Sequence, residues 1–344
     1  MPPLRRHIPL DKTFNTRDVG GYRARDGRYT RWGALLRSDC PYALSAESLR
    51  TLAGLDLRTA LDLRNGQEIR DEDTRNALSR SGSVCYINEP LMTRFGPDTL
   101  TDWLGEAYVL YLDRCRDRIR VLLGVLAREP WPAMINCQAG KDRTGVLVAL
   151  VLALAGVSDD DIIADYALTE HYGRDLIPLL IDEAIRLNFD SPRYRRMLET
   201  RPDGLRFALD WARRNFGSLE GYAHSIGVTD AEIKALCDKL LVERTEVAFG
   251  WRLPDERRAR TPFVAEVHVY EASLDRWLMR LVAPAEPVDP ALPEEFRARI
   301  EALGGAWVRV PGEARANRLT LPMKYETLLG SIAYFHETRP AIAP

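Results

Sequence analysis

AMINCQAGKDRTG, residues 133–145, leads directly into an apolar run over 146–157. Residues 133–136 are too few for a helix and read as a strand, whereas the run after Gly145 has the length and composition of a buried helix. Between them lie a cysteine, Cys137, and an arginine, Arg143, with five residues separating them and Gly140 in the middle. A strand-to-helix loop of this kind sits at the carboxyl edge of a sheet, where backbone N–H groups and the positive end of the helix dipole favour an anion. Arg143 adds a planar fork that matches two phosphate oxygens. The same field favours the thiolate of Cys137 over the thiol, and the thiolate is the nucleophile. The stretch reads as a phosphate trap carrying its own nucleophile. Gly140 permits the close turn, and Thr144 is placed to aim a hydroxyl at the sulfur or at an attacking water.

Two rival readings are weaker. An ATP-binding loop, GxxxxGK[ST], needs a hydroxyl residue straight after its lysine, but Asp142 follows Lys141 and no glycine stands five positions before Gly140. A cysteine packed as a small hydrophobe is the ordinary alternative. It would make the spacing, the glycine and the following helix a coincidence.

Outward from this loop, short apolar segments alternate with helical ones through the first 160 residues, the pattern of an α/β domain. Strands are expected at 34–37, 59–63, 84–87 and 133–136, and helices at 45–55 and, as one long or two shorter pieces, over 100–127. Ser158 with Asp161 predicts a capped helix over 159–169, so the acidic run Asp159 to Asp161 reads as helix-start charge rather than a metal cluster. The stretch 175–241 is mostly helical by period, with breaks near Pro192, Pro202, Gly217 and Gly227, and could cap the site as a lid. Its arginines, Arg193, Arg195, Arg196, Arg201 and Arg206, read as a solvated face, with a second anion contact as the rival. After about residue 244 the texture changes. Strands at 264–270 and 306–310 and helices at 294–303 and 324–337 suggest a small α+β extension, a substrate-selecting or dimer-forming appendage with no assignable motif. The expected domains are 1–243 and 244–344.

With 344 residues the chain can bury a proper core, and 46% hydrophobic with 28% charged residues is ordinary for a globular protein. A formal charge of −2 gives no global field to recruit nucleic acid, so attraction for phosphate must be local. Five scattered cysteines, Cys40, Cys85, Cys115, Cys137 and Cys237, argue against a disulfide framework and suit a reducing compartment. The histidines form no short ligand motif, and no metal is expected. MPPLRRHIPL is too broken by prolines for a signal peptide, and the twelve-residue run 146–157 is short of the ~20 a membrane span needs. A cytoplasmic protein without a membrane span is the expectation.

The chain resembles the cysteine-dependent tyrosine phosphatase superfamily, in the bacterial branch that carries AGKDRTG. Beyond the loop, NTRDVGGY (15–22), GALLRSD (33–39), ALDLR (60–64), IIADYALT (162–169) and GSLEGY (217–222) are similar to segments of that branch in the same order. The resemblance covers about residues 14–242. It implies an α/β fold with a central sheet flanked by helices, no cofactor, and hydrolysis of phosphomonoesters through a phosphocysteine. Cys137 would be the nucleophile and Arg143 the transition-state clamp. Gln138, Ala139, Gly140, Lys141 and Asp142 would supply the loop amides, with Lys141 as a second positive charge at the rim. The branch is similar to phosphatases of phosphotyrosine, phosphoserine or phosphothreonine and phosphoinositides. A small-molecule phosphatase acting on a nucleoside, sugar or inositol phosphate is the alternative, and a non-catalytic phosphate-binding module the second.

One departure stands out. The superfamily usually has histidine before the nucleophile, whereas this chain has Asn136, which hydrogen-bonds but carries no charge; a less readily ionised sulfur is expected. The leaving oxygen also needs a proton, a contribution of ~10²–10⁴-fold. Asp142 is ranked first as the acid, Asp62 second and Asp98 a distant third. The ordinary readings are that Asp62 pairs with Arg64 and that Asp98 opens a turn.

Overall fold

Strand β6 (Ala133–Asn136), the strand that feeds the loop, lies at the centre of a five-stranded sheet. This computed structural model describes residues 6–70, 75–92, 101, 103–188 and 191–242, together with the strands of the last hundred residues. The sheet orders β1 (Arg17–Asp18), β3 (Leu35–Ser38), β6, β4 (Thr59–Asp62) and β5 (Cys85–Asn88); β1 is antiparallel to β3, and the rest run parallel. Register aligns Ser38, Asn136 and Asp62 across the carboxyl ends of β3, β6 and β4, so the loop after Asn136 emerges between two neighbouring strand ends. That is where an open parallel sheet leaves a crevice.

A period of two sends Leu36, Met134 and Ala60 to one side. They pack with Ile8, Leu10, Leu52, Leu57 and Leu78 in one buried cluster, to which helix α1 (Ala46–Gly54) contributes Leu52. Helix α4 (Asp142–Leu154) follows the loop and is buried continuously from Arg143 to Leu152. A helix buried on all faces has no amphipathic stripe, which matches the unbroken apolar run in sequence. Each fully buried Leu or Val in it stabilises the fold by about 1.5–3 kcal/mol, and this fixes the helix start rigidly under the loop.

The strands fall within a residue or so of their expected places. The 100–127 stretch forms two helices, α2 (Leu104–Arg114) and α3 (Arg116–Arg128), divided at Cys115; no proline or glycine marks that break. Helix α5 (Asp159–Tyr172) starts as expected, with Ser158 Oγ accepting from Asp161 N at 3.2 Å. Beyond it lie α6 (Leu176–Arg186), α7 (Pro192–Leu198), α8 (Pro202–Phe216), α9 (Leu219–Ser225) and α10 (Asp230–Leu240). The short strands β1, β2 (Tyr29–Thr30) and β7 (Leu241–Val242) escaped the sequence reading because two residues carry no period.

The chain divides into two compact units, one of Arg6–Gly20 with Ala24–Glu243, the other built around Arg244–Pro344. In the second, β8 (Val247–Trp251), β9 (Phe263–Glu271), β10 (Arg276–Val282), β11 (Ala306–Arg309) and β12 (Asn317–Lys324) form an antiparallel sheet ordered β11-β12-β10-β9-β8. The expected strands at 264–270 and 306–310 fall on β9 and β11. Strand β10, RWLMRLV, is rich in helix formers and β12 holds Pro322, so pairing overrides local preference there. The helix expected at 294–303, and that at 324–337 apart from Lys324, lie outside the described residues, as does Asp98.

Candidate active site

Gly140 decides the path of the loop. Its φ of +64° is a left-handed conformation, and a Cβ there would lie 2.4 Å from the carbonyl carbon of Ser38 and 2.5 Å from Asp39 N. Only glycine lets the loop press against the end of β3 this closely. The loop carbonyls are then held from that side. Gln138 O accepts from Cys40 N (3.2 Å), Ala139 O from Asn15 Nδ2 (3.0 Å), and Gly140 O from Asn15 Nδ2 (3.2 Å) and Arg37 Nη2 (2.9 Å). By contrast, the N–H groups of Gln138 to Asp142 meet no protein acceptor among the described residues.

A buried polar layer sets this clamp. Asp165 pairs with Arg37 at 2.5 Å and with Arg17 at 3.5 Å, and Arg17 donates to the side chain of Asn15. Burial alone would push the Asp165 carboxyl up, but Arg17 and Arg37 outweigh it and hold it below its ordinary range. Asp39 accepts from Phe14 N (3.0 Å) and Asn15 N (3.0 Å), fixing the segment that carries the clamping amide. These residues come from NTRD, LLRSD and IIADYALT, so segments far apart in sequence converge behind one loop.

In front of the loop is a cavity of about 370 Å³. Cys137, 2% exposed, lies on its lining with Gln138, Ala139, Asp142 and Arg143. Arg143 is held by Glu68 through two parallel bonds of 2.6 Å, Nη1 to Oε2 and Nη2 to Oε1. Burial would pull the guanidinium down, but Cys137 and Glu68 more than reverse this, and it stays charged. Glu68 is fixed by its own turn: Asn65 N donates to Oε2 (3.0 Å), while Asn65 Oδ1 accepts from the N–H groups of Gln67 and Glu68. The remaining wall is mostly aromatic and aliphatic, with Tyr42, Tyr111, Tyr194, Leu180, Leu187 and Met197, and carries Gln67, Arg70 and Glu183 as its polar part. Helices α6 and α7, from the stretch expected to cap the site, supply Leu180, Tyr194 and Met197, and Leu187 directly follows α6.

The two leading aspartates have different surroundings. Asp62 is fully buried; Arg64 Nη2 (2.8 Å), Arg64 N (3.1 Å), Tyr86 hydroxyl (3.0 Å) and Asn76 Nδ2 (3.4 Å) take up its carboxylate, and it is absent from the cavity lining. Asp142 begins α4, lines the cavity and is 25% exposed. Lys141, expected at the rim, is instead 1% exposed. It spends its three N–H bonds on Asp142 Oδ1 (2.7 Å), Met197 O (3.0 Å) and Glu199 O (2.9 Å), so its role in the structure is to tie the end of α7 to the loop. Thr144 is buried with no partner for Oγ1 among the described residues and does not line the cavity. Asn136 Oδ1 accepts from Asn76 Nδ2 at 3.1 Å. Arg201 and Arg206 pair at the surface with Asp203 (2.9 Å) and Asp160 (2.8 Å), as a solvated face does.

Glu68 and the clamp residues Asn15 and Arg37 were not singled out as site residues from the sequence. The signal for the clamp was present in the flanking motifs, but nothing local gave those motifs a role. A tyrosine-protein phosphatase of Nostoc commune is 31% identical over 192 residues, 53% of this chain and 63% of that protein. A putative tyrosine-protein phosphatase of Cupriavidus necator is 27% identical over 227 residues, 63% of this chain and 83% of that one. The triple specificity protein phosphatase PtpB of Mycobacterium tuberculosis is 33% identical over 125 residues, 32% and 44% of the two chains. Residues 8–242, well over half of the sequence, match the tyrosine phosphatase family as a whole, and the chain belongs to that family.

Proposed function

We propose that this protein is a cysteine-dependent phosphatase that prefers phosphotyrosine or another aryl phosphomonoester. The carrying observation is a cavity with Cys137, Arg143 and unclaimed loop amides on one side and a wall of tyrosine, leucine and methionine on the other. In this reading the Cys137 sulfur attacks phosphorus while Arg143, oriented by Glu68, and the N–H groups of residues 138–142 receive the phosphoryl oxygens. Asp142 gives a proton to the leaving oxygen, and afterwards takes one from the water that hydrolyses the phosphocysteine. Asp62 takes no part in the proton transfer; its carboxylate is spent on Arg64 and Tyr86. Lys141 and Gly140 shape the loop, and Thr144 packs beneath it.

An aryl ring suits the wall because its faces bury against aromatic and aliphatic side chains at little polar cost. A nucleoside or sugar would ask for several hydrogen-bonding groups around the phosphate. Two of the charged side chains at the cavity, Arg70 and Glu183, are already paired with each other at 3.0 Å. Cys137→Ser used as a trap against cell extract tests the assignment. Recovery of tyrosine-phosphorylated peptides is expected, and recovery of a single small phosphate ester would overturn it.

A further inference from the structure

The mouth of the cavity leaves open how Asp142 is made ready for its proton. A hydroxyl carries one proton, and Tyr108, buried in α2, gives its own to Asp142 Oδ1 at 2.6 Å. The 2.6 Å bond between the Tyr108 and Tyr166 hydroxyls must therefore be donated by Tyr166, from α5. Tyr166 in turn accepts from Arg201 N at 3.3 Å. Every donor in this chain is committed in one direction, ending on Oδ1, where Lys141 Nζ also donates at 2.7 Å. Oδ2 has no partner among the described residues.

We propose that Tyr108 is a positioning residue for the reaction: with Lys141 it saturates Asp142 Oδ1, so that the transferable proton resides on Oδ2. This rests on the reading of Asp142 as the general acid. As the bond from sulfur to phosphorus forms and the bond from phosphorus to the leaving oxygen breaks, the Oδ2 proton passes to that oxygen. The carboxylate left behind keeps both donors on Oδ1. In the second step a water oxygen bonds to phosphorus, its proton returns to Oδ2, and the thiolate leaves. The groups that face Asp142 are Tyr108 and Tyr111 from α2, Tyr166 from α5, Lys141 and Arg143 from its own loop and helix, and Cys137 from the end of β6. Segment 197–201 is tied to the same carboxyl twice, through Lys141 and through Arg201 N to Tyr166, so the end of α7 and the acid are held as one piece.

Tyr108→Phe removes one hydroxyl and keeps the ring in its buried place. Removing a donor from a carboxylate disfavours the ionised form, so the alkaline limb of the kcat/KM profile should move up by about one pH unit. Turnover of an alkyl phosphate should fall by about 10-fold, with little change on p-nitrophenyl phosphate, whose leaving group needs no proton. Tyr166→Phe breaks the chain one link further away and should give the same signature at smaller size, which guards against a folding defect in the first variant. Equal losses on both esters, or no loss, with an unmoved alkaline limb would overturn the proposal. Asp142→Asn separates the two levels. If it spares the alkyl ester as much as the aryl one, the acid assignment falls and this inference with it; if it discriminates and Tyr108→Phe does not, only the inference falls.

Discussion

The two faces of the loop from Cys137 to Asp142 are built on opposite terms. On the back, carbonyl after carbonyl is claimed by Asn15, Arg37 and Cys40. On the front, N–H groups stand without protein acceptors among the described residues, beside a cavity. Unsatisfied backbone donors near the interior cost free energy, and in the proposed function the amides left unclaimed are the ones that receive the phosphoryl oxygens. In that reading the contrast separates residues assigned to the substrate from residues that hold the loop still.

Variants on the two faces should therefore fail differently. Arg143→Lys keeps the charge but loses the fork and one of the two bonds to Glu68; kcat on p-nitrophenyl phosphate should fall by about 10²–10³-fold with the melting temperature unchanged. Asn15→Ala frees the carbonyl of Ala139 from behind and leaves that of Gly140 to Arg37 alone. It should cost about 1–3 kcal/mol of stability and about 10-fold in kcat, read by denaturant unfolding and steady-state kinetics. If both variants lowered activity without touching stability, the distinction between the faces would be lost.

The smallest effect on turnover belongs to Asp39, which holds Asn15 in place. Burial pushes its carboxyl up to about 6 from an ordinary 3.8. The folded protein then binds this proton more tightly than the unfolded chain does. The term favours folding at pH below about 4 and is lost as pH rises through about 6, a change of about 3 kcal/mol. Asp39→Asn, which cannot titrate, should flatten that part of the stability profile between pH 4 and 7 in denaturant titrations.

Legibility followed sequence distance. Cys137 and Gly140 lie in the loop between a strand and a helix, and Arg143 in the first turn of that helix, all within seven residues whose patterns are local. Glu68, which orients Arg143, is 75 residues away in a turn that looks like any other polar turn. Asp165 reaches Arg37 across 128 residues. Such partners are chosen by tertiary packing, and no period or spacing announces them. Lys141 shows the same limit within the loop itself. A lysine beside a phosphate trap reads as a second charge for the anion, yet its four-carbon stem lets it turn inward to carbonyls of the 197–199 segment, which the local sequence could not place nearby.

Rapid acid quenching of the 344-residue chain during turnover of p-nitrophenyl phosphate, followed by peptide mass spectrometry, addresses the nucleophile most directly. A phosphoryl group on the peptide containing Cys137, lost on longer incubation and absent in Cys137→Ser, is the expected result. Continued phosphate release by Cys137→Ser, or a phosphoryl group on any other residue, would contradict the account.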